Sequence, residues 1–263
     1  MFKFCSLYSG STGNSLFVQT ENTKILVDAG VSGKKIVEAL ESKDIDIKDI
    51  DSILVTHEHM DHIKSINVLS NKYDIPVYAT LKTWRQLDKK NINISTQNRK
   101  IFKISEKFSI KDLKINPFKT PHDAIDSCGF SFENLDKKKI TIATDLGHIE
   151  SQIYSELEDS DFVLLEANYE LELLKMGKYP DFLKQRIAGD FGHLSNTDTG
   201  NVVAKLIKKG LSNVMLGHLS KENNFPELAK QTVIEQINKE EKLSGNIDIN
   251  VASRLEPSEF INV

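Results

Sequence analysis

Short apolar runs rich in β-branched residues, each closing on polar side chains, recur along the chain: KILVDAG (24–30), DSILVTH (51–57), KITIATD (139–145), DFVLLEAN (161–168) and SNVMLGH (212–218). Runs of this length bounded by polar residues predict buried strands whose last side chains gather on one sheet rim. Between them apolar residues recur at helical spacing, which predicts helices over KKIVEALES (34–42), IKSINVLSN (63–71), LKTWRQLDKK (81–90), NTDTGNVVAKLIKKG (196–210) and PELAKQTVIEQINKEEK (226–242). Ser195 followed by Asp198 reads as a capping box, and Pro226 suits a first helical turn. Alternation at Phe108, Ile110, Leu113 and Ile115, and again through SCGFSFENLDKKKITIATD (127–145), predicts consecutive antiparallel strands. The pattern is α/β with sizeable antiparallel content. With no repeat period and no Gly/Ser or Pro linker, it predicts one domain over residues 1–263.

Composition narrows the class. The chain is 39% hydrophobic and 27% charged, as in an ordinary folded protein with a proper core. No apolar run is long enough for a signal peptide or a membrane span, which predicts a cytoplasmic protein without membrane contact. Cys5 and Cys128 have no CxxC-type partner and are expected to be buried free thiols without a disulfide. A net charge of -4 excludes a protein that coats nucleic acid by charge alone. It leaves open a local site whose bound cations attract phosphate.

The densest chemistry follows the strand DSILVT, in HEHMDH (57–62). Imidazole nitrogen and carboxylate oxygen are natural ligands of borderline divalent metals, and His57, His59, Asp61 and His62 are positioned to serve two adjacent ions. Four residues in one loop cannot close two sites. His122 in KTPHDA, Asp145 in IATDLG and His218 in MLGHLS each follow an apolar run and are the candidates to complete them. The tetrapeptide GHLS occurs twice, at 192–195 and 217–220, so His193 and His218 sit in identical local sequence.

HxHxDH followed by His122, Asp145 and His218 resembles the metallo-β-lactamase superfamily over essentially the whole chain. The resemblance implies a four-layer αββα sandwich holding two divalent ions. It assigns His57, His59 and His122 to one, Asp61, His62 and His218 to the other, and Asp145 to a bridge. Asp28 in LVDAG matches an acidic strand end that orients the ligands from behind. Two such cations activate water and stabilise developing negative charge, so the implied reaction is hydrolysis. A di-iron oxidase would be expected to carry HxExDH, whereas here the variable position is His59. Zinc, manganese and iron all suit the ligands.

The first GHLS bears on the bond cleaved. Glu166 in LLEAN and His193 in FGHLSN match positions of the phosphodiesterase branch that includes tRNase Z, where neither residue is a metal ligand. There a Glu-held histidine would protonate a poor alkoxide leaving group; the alternative is a helix-entry hydrogen bond around Ser195. SGSTGNSLFV, YPDFLKQRIAGDFGHLSN and GHLSKENNFPELA resemble the YycJ/WalJ group, which implies a metal-dependent nuclease acting 5′→3′ on DNA. The interval from Asp145 to His193 is too short for the inserted domain of RNase J, and no Gly/Pro-rich arm of the tRNase Z kind is evident. Lys184 and Arg186 are candidate phosphate contacts or solvated helix charges, and Ser11 and Asn14 in SGSTGNS belong to a phosphate cradle or a hairpin turn. Trp84 and Tyr179 are candidates for base stacking, with core packing the alternative for Trp84. Two other readings stand beside this one: a thioester or lactam hydrolase in which His193 is structural, and a metal-binding regulatory partner of a cell-wall two-component system. Oligomeric state has no signal in the sequence.

Overall fold

The computed structural model describes residues 1–240 and 247–263, and among them two seven-stranded sheets form. The first contains β1 (Lys3–Tyr8), β2 (Ser15–Gln19), β3 (Lys24–Val27), β4 (Ser52–Leu54), β5 (Val77–Ala79) and β6 (Arg99–Ile101). The second contains β7 (Phe108–Ile110), β8 (Leu113–Lys119), β9 (Cys128–Glu133), β10 (Lys139–Ala143), β11 (Phe162–Glu166), β12 (Asn213–Gly217) and β13 (Asp248–Val251). A last short strand, β14 (Ile261–Asn262), returns to the outer edge of the first sheet beside β1. Each sheet begins antiparallel, β1 to β3 and β7 to β10, and continues parallel through β6 and β13.

The near-continuous apolar runs follow from burial on both strand faces. In β11, Phe162 and Leu164 point into the layer between the sheets, where Phe4 packs on Phe162 with ring centroids 4.7 Å apart. Val163 and Leu165 alternate to the outer face and meet helices. The helices over the first sheet are α1 (Gly33–Glu41), α2 (Met60–Ile63), α3 (Ile66–Tyr73) and α4 (Leu81–Lys89), which cover it with Ile36, Leu40, Leu69, Trp84 and Leu87. Further along come α5 (Ser151–Leu157), α6 (Leu171–Met176), α7 (Asp181–Ile187), α8 (Asn196–Ile207) and α9 (Pro226–Lys239). Of these α5, α8 and α9 cover the second sheet with Ile153, Val203, Leu206 and Val233. Helices outside, sheets inside, this is a four-layer αββα sandwich.

The expected strands end earlier than their sequence runs, because the polar residues at each end have already turned out of the ladder. The helix expected over 63–71 is two: α2 stops at Ile63, and α3 starts after Ser65, whose amide and hydroxyl both donate to the Ala29 carbonyl. Ser195 accepts from the Asp198 amide at 3.1 Å and Pro226 opens α9, so both helix starts form as their sequences predict. The expected end of the last helix, at 241–242, lies outside the described residues. Cys5 and Cys128 are buried free thiols.

Gly30 is the point where three segments that build the site touch. Its amide donates to the Asn14 carbonyl at 2.7 Å, and the Asn14 amide donates to the Asp61 carbonyl at 2.8 Å. A Cβ on Gly30 would fall 1.6 Å from the Asp61 oxygen, so even one methyl must push the HEHMDH loop away. Gly30→Ala is therefore expected to lower the melting temperature by roughly 5–10 °C and to reduce metal content in the purified protein. Thermal melts with elemental analysis check this; wild-type values for both would contradict the packing.

Candidate metal centre

The parallel strands of both sheets deliver polar side chains at their carboxyl ends, where ligands of open α/β sheets bind. Past β4 the chain carries His57, then His59 before α2, with Asp61 and His62 inside that helix. Asp28 follows β3 in the left-handed region, at φ 63°. Its Oδ1 accepts from the Thr56 amide at 2.9 Å, while Oδ2 accepts from the Thr56 hydroxyl at 2.8 Å and from His62 Nδ1 at 2.7 Å. With Nδ1 held from behind, His62 Nε2 faces Asp145 at 3.4 Å and Asp61 at 3.5 Å. His57 is backed by the Thr56 hydroxyl, 3.0 Å from its Nδ1.

The second sheet supplies the other half. Asp145 and His218 lie just beyond β10 and β12, and both also adopt left-handed φ, 59° and 54°. Such backbone costs free energy in non-glycine residues and persists where surrounding contacts impose it. For His218 those contacts include Ser9 Oγ, which accepts its amide at 2.8 Å, and Asn168, which donates to its carbonyl at 2.7 Å. His122 donates from Nδ1 to the Gly192 carbonyl at 3.1 Å, which leaves its Nε2 3.3 Å from His59 Nδ1.

Glu166, at the end of β11, is fully buried and ties these pieces together. Its Oε1 accepts from Nδ1 of both His193 and His218, each at 2.7 Å. Its Oε2 accepts from the amides of Leu146 at 3.1 Å and Leu194 at 3.3 Å, the residues after Asp145 and His193.

Among the described residues, His57 Nε2, Asp145 Oδ2 and His218 Nε2 are buried without any hydrogen-bond partner. An orphaned buried polar atom costs about 1–3 kcal/mol, so three converging ones call for a further occupant. Donor atoms within 4.8 Å of one another come from His57, His59 and His122, from Asp61, His62 and His218, from His57, His62 and Asp145, and from Asp145, Glu166, His193 and His218. Imidazole and carboxylate donors so grouped fit divalent metal. The protein's own charges support that occupant. Burial disfavours a charged His218, yet Asp145, Asp61 and Glu166 outweigh it and push its pKa up to about 10. His62 is raised well above the usual imidazole range against the same burial, by Asp145, Asp61 and Asp28. Burial drives His57 the other way, helped by His62, His122 and His59.

A cavity of about 300 Å³ opens over these groups, lined by His59, Asp61, His122, Asp145, His193 and His218, with Ser11, Asp123, Tyr179, Leu183, Arg186, Ile187 and Gly192 around them. Ser11 and Arg186 thus reach the cleft. Asn14 and Lys184 do not line it: Asn14 is buried, accepts the Gly10 amide and sets its Nδ2 3.1 Å from His62 Nε2, and Lys184 donates to the Lys175 carbonyl. Trp84 lies in the core and donates to the Lys100 carbonyl at 2.9 Å, whereas Tyr179 borders the cleft. Asp123 was not expected. It sits beside His122, 3.4 Å from Nε2, and pairs closely with the Arg186 side chain. Burial opposes its ionisation, but Arg186, His122 and His59 hold its carboxyl below the usual range. Its only sequence signal is the HD pair in KTPHDA.

The family model described as a beta-lactamase superfamily domain matches residues 23–218. Exodeoxyribonuclease YycJ of Bacillus anthracis is 38% identical over 242 residues, covering 92% of this chain and 90% of the relative. Exodeoxyribonuclease WalJ of Streptococcus pneumoniae is 39% identical over 238 residues, covering 90% and 88%. Among solved structures, the metallo-β-lactamase fold protein YhfI from Bacillus subtilis superposes with a TM-score of 0.72 at 15% identity, covering 98% of this chain and all of that one.

His62 and His218 carry protons at neutral pH in the metal-free chain, and imidazole must lose its proton to bind metal. Metal binding is therefore expected to release protons and to tighten as pH rises from 6 toward about 10, where His218 deprotonates unaided. Calorimetric titration of metal-stripped protein, in buffers of different ionisation enthalpy, should give buffer-dependent heats. Heats independent of buffer, with affinity flat in pH, would contradict it.

Proposed function

The chain belongs to the metallo-β-lactamase superfamily and is a metal-dependent hydrolase; from that premise we propose that it is a dinuclear phosphodiesterase that degrades DNA as a 5′→3′ exonuclease. The observation that carries this reading is the Glu166–His193 pair. His193 lines the cleft, and its Nδ1 is committed to a buried carboxylate at 2.7 Å, which leaves Nε2 as the ring's free nitrogen. A thioester hydrolase has no need of a second histidine held this way, because a thiolate departs without a proton. A nucleotide alkoxide is a poor leaving group and gains about 10²–10⁴-fold from a placed proton donor. Both relatives are named exodeoxyribonucleases, which supports the same bond.

In this reading His57, His59 and His122 would hold one ion and Asp61, His62 and His218 the other, with Asp145 available to both. When bound, divalent ions supply the Lewis acidity that polarises a phosphoryl oxygen and makes water a competent nucleophile at neutral pH. The protein's residues do the rest. Asp28 and Thr56 fix the rings of His62 and His57 from behind, so the ligand nitrogens need not reorganise during reaction. Glu166 keeps the Nδ1 of His193 turned inward, so that Nε2 delivers the proton to the departing oxygen. Ser11 and Arg186, on the cleft wall, take phosphate oxygens of the strand.

Metal-reconstituted protein is expected to shorten end-labelled DNA stepwise from the 5′ end, with faster turnover on DNA than on RNA, and Asp61→Ala should abolish this. Products that appear from the 3′ end, or equal turnover of RNA, would contradict the direction or substrate. His193→Ala should keep its metal and lose about 10²–10⁴-fold in DNA turnover. Wild-type turnover in that variant would remove His193 from the reaction.

A further inference from the structure

The strip of surface from Lys175 to Phe191 borders the cleft, and the main fold does not account for its side chains. Helix α7 buries none of its residues, so its apolar side chains contribute little to the core. Leu183, Arg186 and Ile187 face the cleft, and Phe182 lies one turn before Arg186 on the helix surface with 72% of its area exposed. Phe191 is 62% exposed and directly precedes Gly192 and His193. Its backbone is fixed, since its carbonyl accepts the Asp123 amide at 3.0 Å, while its ring stands in solvent. Two exposed phenyl rings thus belong to segments whose neighbouring residues line the cleft, without lining it themselves. Basic residues interleave with them: between 175 and 191 lie Lys175, Lys178, Lys184 and Arg186 against the acids Asp181 and Asp190, with Lys175 paired to Glu172 and Arg186 to Asp123, in a chain whose net charge is -4. Among the described residues, neither Lys178 nor Lys184 pairs with a carboxylate.

We propose that this strip binds unpaired nucleotides of the substrate strand, with Phe182 and Phe191 stacking on bases and the neighbouring Lys and Arg side chains holding phosphates. The inference rests on the nuclease reading above and adds to it the state of the substrate, single-stranded where it crosses α7. Within a duplex each base has its faces covered by its neighbours, so only the outer face of the terminal pair is open to a ring. An unstacked base offers a free face to either ring. The interleaved positive charge selects a polyanion over an apolar protein surface.

The test uses the metal-loaded full chain and fluorescence anisotropy with a cleavage-resistant phosphorothioate oligothymidylate, beside a blunt duplex of the same length. Single strand should bind more tightly than duplex, and Phe182→Ala with Phe191→Ala should weaken it by about tenfold or more. Turnover of bis(p-nitrophenyl) phosphate, too small to reach the rings, should not change in that variant, which also shows that it folds. Trp at both positions should restore affinity. Unchanged oligothymidylate affinity in the double Ala variant overturns the proposal, as does equal wild-type affinity for duplex. If a second copy of this chain covers the strip instead, light scattering will show self-association that the Ala variant abolishes while oligothymidylate affinity holds. Failure of the nuclease reading itself is seen separately, as wild-type protein that hydrolyses neither DNA nor bis(p-nitrophenyl) phosphate.

Discussion

One carboxylate, that of Glu166, holds the cleft side of the second sheet in register. One of its oxygens accepts two imidazole N–H groups, from His193 and His218, and the other accepts the amides of Leu146 and Leu194. Those amides belong to the turns that carry Asp145 and His193. Burial opposes its charge, but His193 and then His218 outweigh that opposition and keep it well below the usual carboxylate range. A buried charge satisfied on every side is hard to remove piecemeal, since deleting one partner of such a pair typically costs about 3–5 kcal/mol. Glu166 therefore links a residue at the candidate metal centre to the residue proposed to move the proton.

The same logic explains why the centre lies where the two sheets meet. The first sheet contributes Asp28 and the histidines after β4, while the second contributes His122, Asp145, Glu166 and His218. Three of the four donor groups draw on both sheets, and the close approach at Gly30 sets the distance between the loops of residues 14 and 61. Left-handed backbone at Asp28, Asp145 and His218 is sustained by this convergence. Cations gathered there would offset the mutual repulsion of Asp61, Asp145 and Glu166, so metal binding and the folding of the cleft are one equilibrium.

Much of this was legible in the sequence where a strong local pattern meets a strand end. The apolar runs before Asp28, His57, Asp145, Glu166 and His218 mark strands buried on both faces, and residues just past such strands must emerge on one rim. The two GHLS copies illustrate the limit. Identical tetrapeptides take different backbones, His218 left-handed after β12 and His193 ahead of the cap of α8, and it is a shared contact to Glu166 that joins them. That contact spans residues far apart in sequence and leaves no periodic trace. The Asp123–Arg186 pair was hidden for the same reason, and α6 and α7 because short helices with little buried surface carry no apolar stripe. Asn14, read as a cradle or turn residue, holds the turn through the Gly10 amide and also reaches His62 Nε2.

The central claim, that Glu166 positions His193 to protonate a poor leaving group, is tested most directly by leaving-group dependence. Turnover by wild type and by His193→Ala should be compared across thymidine 5′-phosphate esters whose leaving phenols or alcohols span a wide range of acidity. The account predicts that the variant's defect grows as the leaving group becomes more basic and nearly disappears with p-nitrophenol, which needs no proton. A defect of equal size across the whole series would contradict it, because His193 would then be shaping the cleft and not moving a proton.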